Sequence, residues 1–236
     1  MQNFFRQTII ILFALFLRIS LFSQNEITDF SQYTIDDGLS QSVIQCLFQD
    51  TKGYIWIGTQ NGLNKFDGYH FTKYNHNNVD TNSISDNWIF SIVEDKEQNL
   101  WIGTKRGLNK YIRNENRFIT IDFGDDIPRE IQNRVYGLDV SKSGDIIINI
   151  SPYLVIYNPA TDRFKSYHND IEYDTGDKNE RIPVMEDSDG LIWIASNYGL
   201  SYFNPKNMEF HSFKADVDNP TCVSKDTIAA LYEDNK

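Results

Sequence analysis

An all-β fold assembled from repeated four-stranded antiparallel units is predicted by three observations. The stretch Asp50-Thr51-Lys52-Gly53-Tyr54-Ile55-Trp56-Ile57-Gly58-Thr59-Gln60-Asn61-Gly62-Leu63-Asn64-Lys65-Phe66 returns from Asp95 to Tyr111 and again from Asp187 to Phe203. Within each copy, short β-rich runs alternate with Gly, Asn and Asp turn residues, the signature of successive hairpins. The turn positions Asp50, Asp95, Ser141, Asp187 and Asp234 are spaced 45, 46, 46 and 47 residues, a period at which four-stranded units stack radially as the blades of a β-propeller.

The chain of 236 residues is 40% hydrophobic and 14% aromatic, enough apolar surface for a packed core. Its net charge of −11 argues against nucleic acid as a direct partner, which needs a basic face, and favours solubility. Cys46 and Cys222 have no metal-ligand spacing and are too few for a disulfide scaffold, so they read as small apolar fillers.

Residues 1–23 place Arg6 before an apolar run from Ile9 to Leu17, the layout of a signal peptide, with cleavage expected near Ser23. An uncleaved anchor from Thr8 to Phe22 is the competing reading; it would bury Arg18 at a cost of at least about 2.5 kcal/mol. Either way the remainder is expected outside the cytoplasm, in the periplasm. Residues 24–41 form an N-terminal segment that includes Phe30-Ser31-Gln32-Tyr33, a copy of the aromatic run that ends each unit. This predicts an orphan outer strand at 30–33 that completes the blade built by the last residues.

Blade 1 spans 42–74, blade 2 spans 85–121, blade 3 spans 134–167, blade 4 spans 181–213, and 224–236 starts a fifth. In blade 1 the runs Ser42–Gln49, Tyr54–Thr59, Leu63–Asp67 and Tyr69–Tyr74 are the four strands. Cys46, Ser91, Gly137, Pro183 and Ala230 share one position of the first strand, all small, and the next position holds Leu47, Ile92, Leu138, Val184 and Leu231. Small residues suit crowded inner strands, and the larger aliphatics are expected to wedge between blades. Trp56, Trp101 and Trp193 recur in the second strand, with Ile147 in the third unit; residues of this size are expected as structural inter-blade wedges. Gly62, Gly107 and Gly199 open the third strand and are expected at positive φ. The third unit has Tyr153 there and is degenerate. Because such propellers need more than five blades, the count predicts a fragment or a truncated gene product, with its open edges exposed.

The pattern Asp-x-x-Gly-x-Ile-Trp-Ile-Gly-Thr-x-x-Gly-Leu-Asn-Lys-Phe, preceded by Asp37-Gly38-Leu39-Ser40 and followed by Asp67-Gly68-Tyr69-His70-Phe71, resembles the two-component regulator propeller repeats. The resemblance covers Phe30 to Lys236, closely in units one, two and four. It implies the N-terminal part of the periplasmic sensor region of a hybrid two-component system of Bacteroidetes type, in which tandem propellers detect carbohydrate breakdown products. Further domains of such a protein, including a membrane helix and a histidine kinase, carry the phosphotransfer, and the full-length protein is implied to be a homodimer. Kinase motifs are missing from this sequence, so the chain itself reads as non-enzymatic. Membrane contact is expected only through the N-terminal segment or a part beyond residue 236.

For ligand binding, one face of such blades gathers the loops after each fourth strand and those between strands two and three. It collects Asn75 to Trp88, with Asn87 among them, and Gln60, Asn61, Lys105, Arg106, Asn197 and Tyr198. Aromatic and amide groups beside two cations suit a polar oligosaccharide ligand, an acidic one included. Trp88 is the most suggestive, standing where unit one has Val43, although ordinary packing at a strand start also explains it. No catalytic residue, metal site or cofactor is assigned. The alternatives are a glycosidase or lyase, for which Asp187-Ser188-Asp189-Gly190 has a sialidase-like acidic turn, and a scaffold that binds a protein partner. Glycosidases need two carboxylates about 5–10 Å apart in a pocket, whereas the acids here sit mostly in periodic turns. His70, His76, His168 and His211 read as surface or edge residues.

Overall fold

The computed structural model describes residues 30–124, 127–129, 132, 134–169, 182–196, 199–214 and 228–234. The signal segment, Cys222, Asn197 and Tyr198 lie outside them. Sixteen strands are present among the described residues. The first eight are β1 (Ile44–Gln49), β2 (Ile55–Thr59), β3 (Gly62–Phe66), β4 (Phe71–Tyr74), β5 (Ile89–Glu94), β6 (Leu100–Thr104), β7 (Gly107–Ile112) and β8 (Arg117–Thr120). The second eight are β9 (Gly137–Val140), β10 (Ile146–Ile150), β11 (Tyr153–Asn158), β12 (Arg163–His168), β13 (Val184–Glu186), β14 (Ile192–Ser196), β15 (Gly199–Asn204) and β16 (Glu209–Lys214). They form four separate four-stranded sheets, each pairing its strands in chain order. Every pair is antiparallel. The fold is all-β, a run of propeller blades.

The first strands β1, β5, β9 and β13 lie side by side, and the small residues explain how closely. A Cβ placed on Gly58 would come within 2.5 Å of Cys46 Sγ and 2.7 Å of Ile89 in the next blade. At Gly137 it would meet the Ile182 carbonyl oxygen at 2.1 Å. Apolar burial is likewise between blades. Trp56 and Leu63 pack with Ile92, Leu100, Ile102 and Phe118 of blade 2. Trp101 and Leu108 pack with Leu138, Ile146, Ile148 and Val155 of blade 3, and Ile147 and Leu154 with Val184, Ile192 and Phe203 of blade 4. Trp56 is stacked on Tyr74 at 5.9 Å and meets Tyr111 of the next blade edge-on at 5.2 Å. Trp193 is stacked on Phe213 at 6.0 Å.

Two expectations differ from the structure. Leu47 is 65% exposed, whereas its counterpart Ile92 is 6% exposed, because no described blade lies against that face of blade 1. Residues 30–33 form no strand, an outer strand having no ladder without a neighbouring sheet. Tyr33 instead sets its ring against Phe66 at 4.9 Å and Phe71 at 5.7 Å.

The turn acids do more than shape hairpins. Asp50 Oδ1 accepts the Tyr54 and Lys52 N–H groups, and Oδ2 accepts the Trp56 indole N–H at 2.8 Å. Trp101 bonds Asp95 at 2.8 Å and Trp193 bonds Asp187 at 2.6 Å in the same way. In blade 3 Ser141 Oγ still accepts the Asp145 N–H, the part of the carboxylate's task that a hydroxyl can perform; the second part is absent along with the tryptophan. Neighbouring turns are clasped as well. Glu94 accepts the Thr51 N–H at 2.7 Å, Glu186 the Lys142 N–H at 2.6 Å and Glu233 the Ser188 N–H at 2.8 Å. The junction between blades 2 and 3 has Val140 at that position, and there Lys96 Nζ donates to the Lys142 carbonyl instead.

Candidate functional site

Gly62, Gly107 and Gly199 stand at φ of +117°, +110° and +135°, so the β2–β3 and β6–β7 connections turn tightly and present two residues each, Gln60-Asn61 and Lys105-Arg106. The loop 75–88 runs between them from blade 1 to blade 2, and its last residues tie the two connections together. The Asn87 carbonyl accepts the Gly62 N–H at 2.7 Å and the Trp88 carbonyl accepts the Lys105 N–H at 3.0 Å. The remainder of the loop is fixed by its own polar groups. Asn87 Oδ1 accepts the His76 N–H at 2.7 Å, and Asn75 Nδ2 reaches both Asn87 Oδ1 and the Asn61 carbonyl. The His76 ring bonds the Ile84 carbonyl and Asn78 Oδ1, with Ile84 fully buried beneath. His76 is thereby a loop anchor.

Below this platform Ser40 and Ser85 play matching parts. Their N–H groups donate to Asn64 Oδ1 and Asn109 Oδ1, and their hydroxyls meet Thr59 and Thr104. Both asparagines and both threonines are buried, so the recurring Thr and Asn of the repeat fasten each incoming loop to its blade. The result is a surface set before any ligand arrives.

The structure brings Gln60, Asn61, Asn87, Trp88, Lys105 and Arg106 onto this one surface but gives them unequal freedom. Asn61 Nδ2 donates to the Ser40 carbonyl at 3.3 Å and Asn87 Oδ1 is occupied by the loop, so half of each amide is already engaged. The Gln60 side chain has no partner among the described residues; its backbone N–H is held by Gln41 Oε1 at 3.0 Å. Trp88 is not an open stacking platform. Its ring is stacked with Phe90 at 6.1 Å, and Lys105 Nζ stands 4.8 Å from its centroid. Its indole Nε1 is buried with no hydrogen-bond partner among the described residues. Arg106 Nε pairs with Asp86 Oδ2 at 3.3 Å while its side chain stays 64% exposed.

Sequence reasoning missed Gln41, Phe90 and Tyr136. Phe90 is fully buried, sits at a register shift of β5, and continues the aromatic row to Tyr136 at 5.5 Å. The signal was available, since Phe90 replaces Gln45 of blade 1.

The acids elsewhere are taken up by structure. In Asp187, Oδ1 accepts the Asp189 and Leu191 N–H groups and Oδ2 the Trp193 indole. Burial pushes its pKa up, but these bonds outweigh it and hold the carboxyl below the usual range. Asp139 is the opposite case: burial raises its pKa, and the nearby Glu186 carboxylate adds to the rise. A raised carboxyl can mark a functional site, yet Asp139 lies on β9, away from the loop surface, and accepts the Glu186 N–H of the next blade at 2.8 Å. Among the described residues no group of His, Cys, Asp and Glu could hold a metal ion.

Comparison with known proteins agrees with this architecture. The family described as two component regulator propeller matches residues 38–61 and 83–106, which contain Asp50, Trp56, Asp95 and Trp101 and the two loop connections of blades 1 and 2. Histidine kinase P4 of Formosa agariphila is 50% identical over 76 residues, covering 32% of this chain and 6% of that protein. Among solved structures, the extracellular domain of BT4673 from B. thetaiotaomicron, described as a one component system, superposes with a TM-score of 0.67 at 19% identity. That match covers 90% of this chain and 26% of the other. The extracellular domain of BT3049 from the same organism, described as a hybrid two component system, gives 0.56 at 23% identity over 77% of this chain and 31% of that one. The chain thus spans about a third or less of the length of each of these proteins.

Proposed function

We propose that this chain, which carries two-component regulator propeller repeats, is part of the ligand-sensing propeller of an exported two-component sensor. In this reading it takes an oligosaccharide on the loop surface of blades 1 and 2. The observation that carries the reading is the concentration of the repeat-breaking residues Trp88, Lys105 and Arg106, beside the loop from Asn75, on one surface whose backbone is already fixed by hydrogen bonds. A fixed surface loses little conformational freedom on binding, and the mixture of amides, cations and aromatic edges matches the hydroxyl-rich, partly apolar surface of a sugar. The likeness to extracellular domains of bacterial sensors and to a histidine kinase supports a periplasmic site outside the kinase. The role assigned to the chain is binding without catalysis, in a full-length protein that works as a homodimer.

Thermal unfolding of the full chain against an oligosaccharide panel, with chromatography of the glycans afterwards, tests this. A ligand at 100 times its Kd stabilises by about 2.7 kcal/mol, so a clear rise in Tm with intact glycan is expected. Product formation would replace sensing with catalysis, and no rise with any glycan would sink the reading.

A further inference from the structure

We infer that the sugar taken on this surface carries an anionic group, a carboxylate or a sulfate, that docks on Lys105 and Arg106. The inference rests on the proposed oligosaccharide site. Lys105 and Arg106 stand where blade 1 has Gln60 and Asn61, so the two otherwise matching connections differ by two positive charges. Other lysines also lie over aromatic rings, Lys65 over Tyr54 and Lys110 over Trp101, but those belong to the Leu-Asn-Lys run shared by both blades. Lys105 and Arg106 do not recur.

The Lys105 ammonium forms no ion pair with a carboxylate among the described residues; its neighbour is the Trp88 ring at 4.8 Å. Its backbone is fixed by the Trp88 carbonyl, and Trp88 is steadied by Phe90. Trp88 is therefore a positioning residue: it orders a cation without neutralising it, leaving ammonium donors for a ligand. Arg106 meets Asp86 through Nε, which leaves the terminal nitrogens of its exposed guanidinium for the paired bonds that a carboxylate or sulfate accepts. The net charge of −11 opposes an anion at a distance, but that repulsion is screened beyond about 8–10 Å in physiological salt, so the local balance decides the outcome: Lys105 and Arg106 against the one carboxylate of Asp86 that pairs with Arg106.

The variant Lys105→Gln/Arg106→Asn gives blade 2 the loop Thr-Gln-Asn-Gly that blade 1 already folds. Calorimetric titration of the full chain would compare a neutral galactan oligosaccharide, an oligogalacturonate and a sulfated galactan oligosaccharide in low and high salt. The acidic glycan is expected to bind at least tenfold more tightly than the neutral one. The double variant should lose that preference and most of the salt dependence, so that its affinities for the acidic and neutral glycans converge. Trp88→Phe should lower the acidic-to-neutral affinity ratio, a readout that mere loosening of the fold would not move. Binding of the oligogalacturonate alone assigns a carboxylate, and of the sulfated glycan alone a sulfate. Equal affinity for neutral and acidic glycans, or an unchanged acidic affinity in the double variant, overturns the inference and leaves the oligosaccharide site standing. Failure of all three glycans to bind overturns both.

Discussion

The indole N–H of Trp101 donates to Asp95 Oδ2 at 2.8 Å across a hairpin turn, and the same bond recurs wherever the repeat keeps both residues. Blade 3 has lost both together, as Ser141 and Ile147. The two should therefore be energetically coupled. Asp95→Ser leaves a buried indole N–H without its acceptor, at a cost of about 1–3 kcal/mol. Trp101→Ile removes packed volume at a cost of about 2–4 kcal/mol. The double variant, which recreates the pair used by blade 3, should be less destabilised than the sum by about 1 kcal/mol. Urea denaturation of the three variants reads this, and strict additivity would contradict it.

Arg113 locks blade 2 onto blade 1 and has no counterpart in the other units, where Gly68, Pro159 and Pro205 stand. Its Nη1 reaches Asp50 Oδ2 at 2.8 Å and its Nη2 reaches Glu94 Oε1 at 2.7 Å. Both carboxylates are shielded from solvent. Arg113→Met should destabilise by about 3–5 kcal/mol, because it leaves two buried negative charges uncompensated. Adding Asp50→Asn and Glu94→Gln to the same chain should recover part of the loss. The midpoints of denaturant unfolding for the single and triple variants give the comparison.

Acid should act in opposite senses on two carboxyls. Burial pushes the Asp50 carboxyl up, but the Trp56 indole, Arg113 and the Tyr54 N–H together hold it below its usual range. Its contribution is thus complete above the unfolded value of about 3.9 and is lost as pH falls below that, through the lowered folded pKa. Asp139 is raised by burial, so it weakens the fold at neutral pH, and this penalty fades as pH falls through its folded value. Asp139→Asn keeps an oxygen for the Glu186 N–H and should raise the unfolding midpoint at pH 7, the gain shrinking in acid. Unfolding curves for both proteins between pH 7 and pH 3 would show the gap close; a gap that widened in acid would refute the assignment.

Blade spacing can be probed through a single methyl group. A Cβ at Gly137 would stand 2.1 Å from the Ile182 carbonyl oxygen, so Gly137→Ala must push blade 4 away from blade 3, for about 1–3 kcal/mol. At Gly53 nothing lies within 4 Å but φ is +86°, and alanine there should cost only about 1–2 kcal/mol of backbone strain. Comparing the two melts separates crowding from strain, with loss of contact across the blade 3–4 junction expected in the Gly137 variant alone.

The blades were legible because hairpin punctuation and a period in the forties are properties of the chain itself. The Trp–Asp bond left a trace too, a constant spacing of six residues in blades 1, 2 and 4 and a joint loss in blade 3. What the sequence could not show was how the loop surface divides its polar groups. Asn61 and Asn87 look like ligand groups, yet each gives part of its amide to a neighbour that the folded loops bring close, Asn61 to the Ser40 carbonyl and Asn87 to the His76 N–H. Trp88 looks like a platform for a sugar, and the fold turns it into a support for Lys105. Leu47 looks like a wedge and lies open, since its burial depends on a neighbour and not on its own strand. Asn197 and Tyr198 lie outside the described residues.

None of the three apolar clusters is contained within one blade; each joins the side of one unit that carries Trp56, Trp101 or Ile147 to the aliphatic side of the next. A solitary copy of the repeat would therefore bury almost nothing and have no stable form on which selection could act. Gain or loss of a unit during the history of such a chain must have taken place inside an array already stacked, where each new copy finds a waiting surface on either side.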